Sequence, residues 1–220
     1  NAIYFKGKWD SPFKPEKTAE DQFTLPDGTT REVSMMHRKG CFGYSEIEGA
    51  QVLDLPYAGD DLSMLVILPD RPDGLPELEK RLSAENLKTW TARLREENVE
   101  VFLPRFTLSW GVFDLRAPLQ VLGMRKAFEA KPDGSGADFS GMDGTKIFAL
   151  GSVLHKAFVE VNEEGTEAVA ATAGLVFYGC ASPQYRTFRA DHPFLFLIRD
   201  KATSSILFLG RLLEPGREVS

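Results

Sequence analysis

The chain has little of the side-chain chemistry that most enzymes and metal sites require. Its 220 residues include only two cysteines, Cys41 and Cys180, and three histidines, and their spacing matches no zinc-binding pattern. No Gly-x-Ser-x-Gly motif is present to hold a nucleophilic serine. His155 lies in a strand-like run, where a hydrogen-bonded structural histidine is more common than a catalytic base. We therefore expect no catalytic site, no metal and no cofactor.

The sequence also lacks an excess of positive charge and a long apolar run. Lys and Arg number 26 against 32 Asp and Glu, a formal net charge of -6, so there is no general attraction to nucleic acid. The longest apolar runs, at 64–68 and 194–198, are far shorter than the roughly 18 residues that predict a membrane span. The short apolar runs predict a soluble protein with no membrane partner, and the charge predicts no nucleic-acid partner. With only two cysteines, the compartment is left open between the cytoplasm and secretion without disulfides.

The pattern that is present predicts many strands and few helices. Residues 23–36 are typical of a hairpin with Asp27 and Gly28 at its turn, and residues 52–55 and 62–68 predict a second hairpin. Helical spacing of leucines occurs at 75–95, with Ser83 as the cap of a second helix, and at 114–128. This mixture predicts an α+β fold.

Residues 163–174 combine a glycine with alternating small side chains. Gly165 can adopt backbone angles closed to other residues. In an extended chain one face would carry only small residues, namely Thr166, Ala168, Ala170 and Thr172, and such a strand could enter between two packed strands. A short surface helix capped by Thr166 and ended by Gly174 explains this window about equally well. The strand-like residues 152–162 that precede it favour the strand.

This run closely resembles the hinge and reactive-centre loop of a serpin. Similar segments follow in the family's order along essentially the whole chain, at 1–9, 53–57, 62–69, 101–106, 188–198 and 205–211. The resemblance implies a serpin-like fold with large, mostly antiparallel sheets, a few packed helices and a mobile reactive-centre loop. Because the first residues resemble the third strand of the family's central sheet, it also implies that residues 1–220 are the C-terminal portion of a single serpin domain whose N-terminal portion is absent.

The resemblance assigns roles to particular residues. The hinge would comprise Glu163, Glu164, Gly165, Thr166, Ala168, Ala170 and Thr172. His155 would pair with Asn1 across the gap where the loop inserts, as a shutter, and Trp9 would mark the breach where insertion begins, although an ordinary core aromatic explains Trp9 almost as well. The family's usual loop length places the reactive bond at Gly179-Cys180, with Tyr178 or Phe177 as alternatives.

The implied activity is protease inhibition by a suicide substrate. The target would cleave the loop, and the hinge would insert into the central sheet while carrying the acyl-enzyme with it. The expected partner is a serine or a papain-like cysteine protease, and the protein is expected to be a monomer with loop-sheet polymerisation possible. The alternatives are a non-inhibitory serpin used as a carrier, chaperone or storage protein, and an inactive fragment. Small residues at the inward hinge positions favour inhibition, and Val169, where alanine is more usual, weakens that prediction only slightly.

Overall fold

The computed structural model describes residues 1–131, 133, 135–165 and 184–216. The chain divides into two compact units. The smaller unit contains Asn1–Tyr4 and Leu108–Val159, and the larger unit contains Phe5–Thr107 together with residues 160–165 and 184–216.

Strands dominate the described part of the chain, as the turn and alternation pattern predicts. They are β1 Ala2–Phe5, β2 Ala19–Thr24, β3 Thr30–Ile47, β4 Ala50–Pro56, β5 Leu62–Pro69, β6 Arg95–Pro104, β7 Phe106–Asp114, β8 Leu154–Val161, β9 Arg186–Arg189, β10 Phe194–Asp200 and β11 Ile206–Leu212. The α-helices of the described residues are α1 Leu75–Arg81, α2 Ala84–Ala92, α3 Arg116–Val121 and α4 Ser140–Asp143, and short 3-10 turns occupy Pro15–Lys17 and Lys126–Phe128.

An eight-stranded sheet organises the larger unit. Its order is β11-β10-β5-β4-β3-β6-β9, and β2 pairs with β3. These pairs are antiparallel except β6 with β9, which is parallel. The continuous apolar runs of β5 and β10 are buried, and one core cluster joins Leu65 and Leu197 to Leu75, Leu78 and Trp90 of the helical segment. Two-sided burial explains why these strands show no alternation.

A second sheet has the order β1-β8-β7. Its strands lie mainly in the smaller unit, where β1 and β8 are direct neighbours. Asn1 N donates to Leu154 O at 2.7 Å, and Lys156 N donates to Asn1 O at 2.9 Å. This pattern, in which one residue bonds to both neighbours of the residue opposite it, is that of parallel strands. Asn1 therefore lies opposite His155.

The predicted helices are confirmed in part. Ser83 caps α2 as expected, because its Oγ accepts the N–H of Asn86 at 3.1 Å. The helix predicted over 114–128 is much shorter in the structure, since Leu122 is its C-cap and Gly123 leaves the helical conformation with a φ of +103°. No helix in the described part of the chain is both long enough and apolar enough to cross a bilayer.

Candidate functional site

A tight turn at the end of β8 forms the first part of the predicted hinge. Asn162 and Gly165 make an antiparallel bridge, with Gly165 N donating to Asn162 O at 3.2 Å and Asn162 N donating to Gly165 O at 3.3 Å. The side chain of Asn162 fixes the turn, because its Oδ1 accepts the N–H of Glu164 at 3.1 Å. The chain is thus already folded back on β8 at Gly165, as in a β-hairpin with a two-residue loop.

Gly165 makes a second antiparallel bridge, to Lys8, on its other side. Its φ is +104°, and a Cβ at this position would lie 2.3 Å from the carbonyl oxygen of Gly7 and 2.6 Å from the nitrogen of Trp9. Both contacts are with backbone atoms, which cannot rotate away as a side chain would. The close approach therefore requires glycine at position 165.

Trp9, the predicted breach tryptophan, holds this turn from the side. Its indole Nε1 donates to Asn162 O at 2.9 Å, and its backbone N donates to Glu164 O at 3.1 Å. The indole stacks on the ring of Tyr57 at a centroid distance of 4.6 Å and an angle of 9°. Trp9 is thus a buried core aromatic whose ring also contacts the hinge turn, and its role as the breach residue stays a prediction.

Glu163 ties the turn to two distant segments through its buried carboxylate. Arg105 Nε donates to both carboxylate oxygens, at 2.7 and 2.8 Å, and the Thr18 hydroxyl donates to Oε1. Burial works to raise the pKa of Glu163, but the hydrogen bonds from Arg105 and Thr18 outweigh it and hold the pKa below its ordinary value. Sequence reasoning missed Arg105 and Thr18, and no local pattern around either residue identifies it as a partner of Glu163.

Asn1 and His155, the predicted shutter residues, lie opposite each other on neighbouring strands of the smaller unit. Within the described residues, however, the buried Nδ1 of His155 has no hydrogen-bond partner. The bonds between Asn1 and β8 involve its backbone nitrogen and oxygen. The structure therefore places the pair in register and leaves a buried polar atom of the imidazole unsatisfied.

The remaining predicted site residues lie outside the described residues. They are Thr166, Ala168, Ala170, Thr172, Phe177, Tyr178, Gly179 and Cys180. Cys41 is exposed and free. His192 is held at both ring nitrogens, with Nδ1 2.8 Å from Asp191 Oδ1 and Nε2 2.7 Å from Pro69 O, as expected of a structural histidine. Among the described residues, no group of three or more His, Cys, Asp or Glu could hold a metal ion.

Comparison with known proteins gives consistent matches. A family profile described as "Serpin (serine protease inhibitor)" matches residues 1–215. Human "Serpin B3" is 44% identical over 219 residues, which is 98% of this chain and 55% of that protein. The "Leukocyte elastase inhibitor" of Bos taurus is 46% identical over 223 residues, covering 98% of this chain and 57% of that protein. The crystal structure of uncleaved ovalbumin aligns with a TM-score of 0.82 and 34% identity, covering 98% of this chain and 53% of that one. The chain thus spans little more than half the length of these relatives.

Proposed function

Because the chain belongs to the serpin family, with the α+β fold expected of it, we propose that it is the C-terminal portion of a single serpin domain. We further propose that the whole protein inhibits proteases as a suicide substrate. The observation that carries this proposal is the turn at Asn162–Gly165, in which Gly165 is already bridged to Asn162 on one side and to Lys8 on the other. A strand that continued from Gly165 would be paired on both sides from its first residue.

The two bridges define the register in which the following residues would enter the sheet. Antiparallel pairing continues one residue at a time on each side. Thr166 would then lie opposite Val161 and Ala168 opposite Val159, and both valines are buried. Ala170 and Thr172 would follow opposite Ala157 and His155. The small side chains of the hinge would thus occupy the buried face, where little room exists between packed strands.

The same register gives the shutter a role in the inserted state. Thr172 would lie between Asn1 and His155, which are now direct neighbours across the seam between β1 and β8. The unsatisfied Nδ1 of His155 would then have a hydroxyl beside it. Satisfying a buried polar atom that lacks a partner stabilises the inserted form by about 1 to 3 kcal/mol.

Inhibition results when the protease forms the acyl-enzyme but does not hydrolyse it. The protease nucleophile attacks the carbonyl carbon of Gly179 and forms an acyl bond, while the amine of Cys180 takes a proton and leaves. Insertion then moves the acyl-enzyme away from its original position before water hydrolyses the bond. Insertion is favourable because it adds ladder hydrogen bonds and packing that the uncut loop cannot make.

The target class follows from the residues before the reactive bond. With Gly179 in the primary position, a papain-like cysteine protease would recognise Tyr178, whereas a shift of one or two residues gives Tyr178 or Phe177 to a chymotrypsin-like serine protease. Subtilisin-like enzymes belong in the same panel. The cattle relative is named an elastase inhibitor, which adds an elastase-like enzyme.

The test uses a full-length protein that carries this chain, mixed with such a panel. An inhibitor forms a complex that survives SDS, and its loop-cleaved form melts at a higher temperature than the intact form. Thr166→Arg would bury an unpaired charge at a cost of several kcal/mol and convert the protein into a substrate. Glu167→Arg is the matched control, because residue 167 would point to the opposite face of an inserted strand. Cleavage without a gain in melting temperature in the parent protein would refute inhibition and favour the carrier or storage alternative.

A further inference from the structure

Two aromatic side chains close the seam between β1 and β8 at a point away from the hinge turn. The rings of Tyr4 and Phe158 stack with centroids 5.3 Å apart and an angle of 25° between their planes. Tyr4 is 55% exposed and Phe158 is half-buried. Both residues lie in the smaller unit, and neither belongs to the hinge, the shutter or the reactive bond.

The register of the two strands explains the stack. Asn1 lies opposite His155, and parallel strands advance together by one residue at a time. Tyr4 therefore lies directly opposite Phe158 across the seam. A cross-strand aromatic pair on one face of a sheet stabilises the pairing of its two strands.

We propose that Tyr4 and Phe158 are positioning residues for loop insertion, an inference that rests on the proposed function. A strand that enters between β1 and β8 must separate them by one additional interstrand spacing, roughly 4.8 Å. The ring centroids would then be about 10 Å apart, beyond stacking distance. The stack holds the seam closed before cleavage and must break as insertion passes this point.

The register set by the bridges of Gly165 identifies what replaces the stack. If the entering strand kept the register of Gly165, Val169 would lie opposite Tyr4 on one side and opposite Phe158 on the other. A β-branched residue beside an aromatic ring is a favourable cross-strand pair. The lost ring–ring contact is thus exchanged for two valine–ring contacts, and valine rather than alanine at position 169 suits that role.

The rate of insertion in the full-length protein tests the first part of the proposal. Tyr4→Ala removes the stack and should accelerate insertion after loop cleavage by roughly 2- to 12-fold. This is the change in rate that corresponds to the typical interaction energy of an aromatic pair. Tyr4→Phe keeps the ring and should retain the parental rate. Val112→Ala, on β7 at the other side of β8, is the control for loss of an exposed apolar side chain. Phe158→Leu repeats the test with less change in volume.

The second part is tested by coupling between positions 4 and 169. Tyr4→Ala and Val169→Ala should show non-additive effects on the melting temperature of the cleaved form, and additive effects on that of the intact form. A purely structural role of Tyr4 in the intact protein would produce no coupling with residue 169. Additivity in both forms, or a parental insertion rate in Tyr4→Ala and Phe158→Leu, would overturn the proposal.

The same experiments distinguish a failure of this proposal from a failure of the proposed loop insertion. If the parent protein shows no rise in melting temperature after loop cleavage, insertion itself fails and both proposals fall. If the parent protein inserts and the aromatic variants behave like it, only the role of Tyr4 and Phe158 is refuted.

Discussion

Replacing Glu163 by glutamine isolates the charge that fixes the hinge turn. The Glu163 side chain is only 5% exposed, whereas that of Arg105 is 47% exposed. Glutamine preserves the shape but sets an N–H₂ group against the donors of Arg105 and Thr18. Hydrogen bonds to charged groups contribute about 1.5 to 3 kcal/mol. Because Arg105 would regain water, the larger penalty for a stranded buried charge does not apply. We expect Glu163→Gln to lower the free energy of unfolding by about 1.5 to 3 kcal/mol.

The pH dependence of this loss provides a second, independent signature. The pKa of Glu163 is lower in the folded protein than its ordinary value, so its contribution is fully present above the unfolded pKa of roughly 4.3. That contribution disappears as the pH falls through the folded pKa. The difference in unfolding free energy between the parent protein and Glu163→Gln should therefore shrink under acid conditions.

The assay is urea unfolding of the full-length proteins between neutral and acid pH, with reversibility established at each pH. Glu46→Gln is the control, since it breaks an exposed ion pair with Arg186 at 3.6 Å and should cost less than about 1 kcal/mol. A loss in Glu163→Gln no larger than in the control, or one that stays constant as the pH falls, would refute the reasoning.

Two further substitutions probe the turn and the seam. Gly165→Ala should lower the free energy of unfolding by more than about 2 kcal/mol, because strain at positive φ adds to a backbone clash; equal urea midpoints for variant and parent would contradict the close approach of residues 7 and 165. His155→Ala should leave the melting temperature of the intact protein nearly unchanged, since Nδ1 has no partner among the described residues, but should reduce the gain in melting temperature after loop cleavage. Calorimetry of the intact and cleaved forms measures both quantities.

The sequence predicted the turns and helix caps that are stabilised by contacts between residues close together in the chain. Asp27 and Gly28 lie at the turn between β2 and β3, where Gly28 has a φ of +83°. Ser83 caps α2 through its own hydroxyl. In both cases the deciding contacts lie within a few residues of each other in the chain, so the local sequence is enough to predict them.

The missing parts of the prediction depend on contacts between distant residues. Arg105 is 58 residues from Glu163 and Thr18 is 145 residues from it, so no periodicity in either segment indicates the contact. The opposite error occurred at 114–128, where leucine spacing predicted a helix that Gly123 ends early. The family resemblance assigned roles to Glu163, Trp9 and His155, but the atoms that these residues contact depend on the three-dimensional fold.

The close contacts around Gly165 limit where a foreign loop could be grafted onto this protein. Gly165 cannot carry a side chain because of the backbone of residues 7–9, and Gly7 cannot carry one because its Cβ would lie 2.8 Å from ring atoms of Phe5 and Tyr57. A shift of the backbone at Gly7 that made room for a side chain at residue 165 would therefore push Gly7 against the rings of Phe5 and Tyr57. A transplanted loop should begin at residue 166, with the segment from Asn162 to Gly165 retained as part of the recipient.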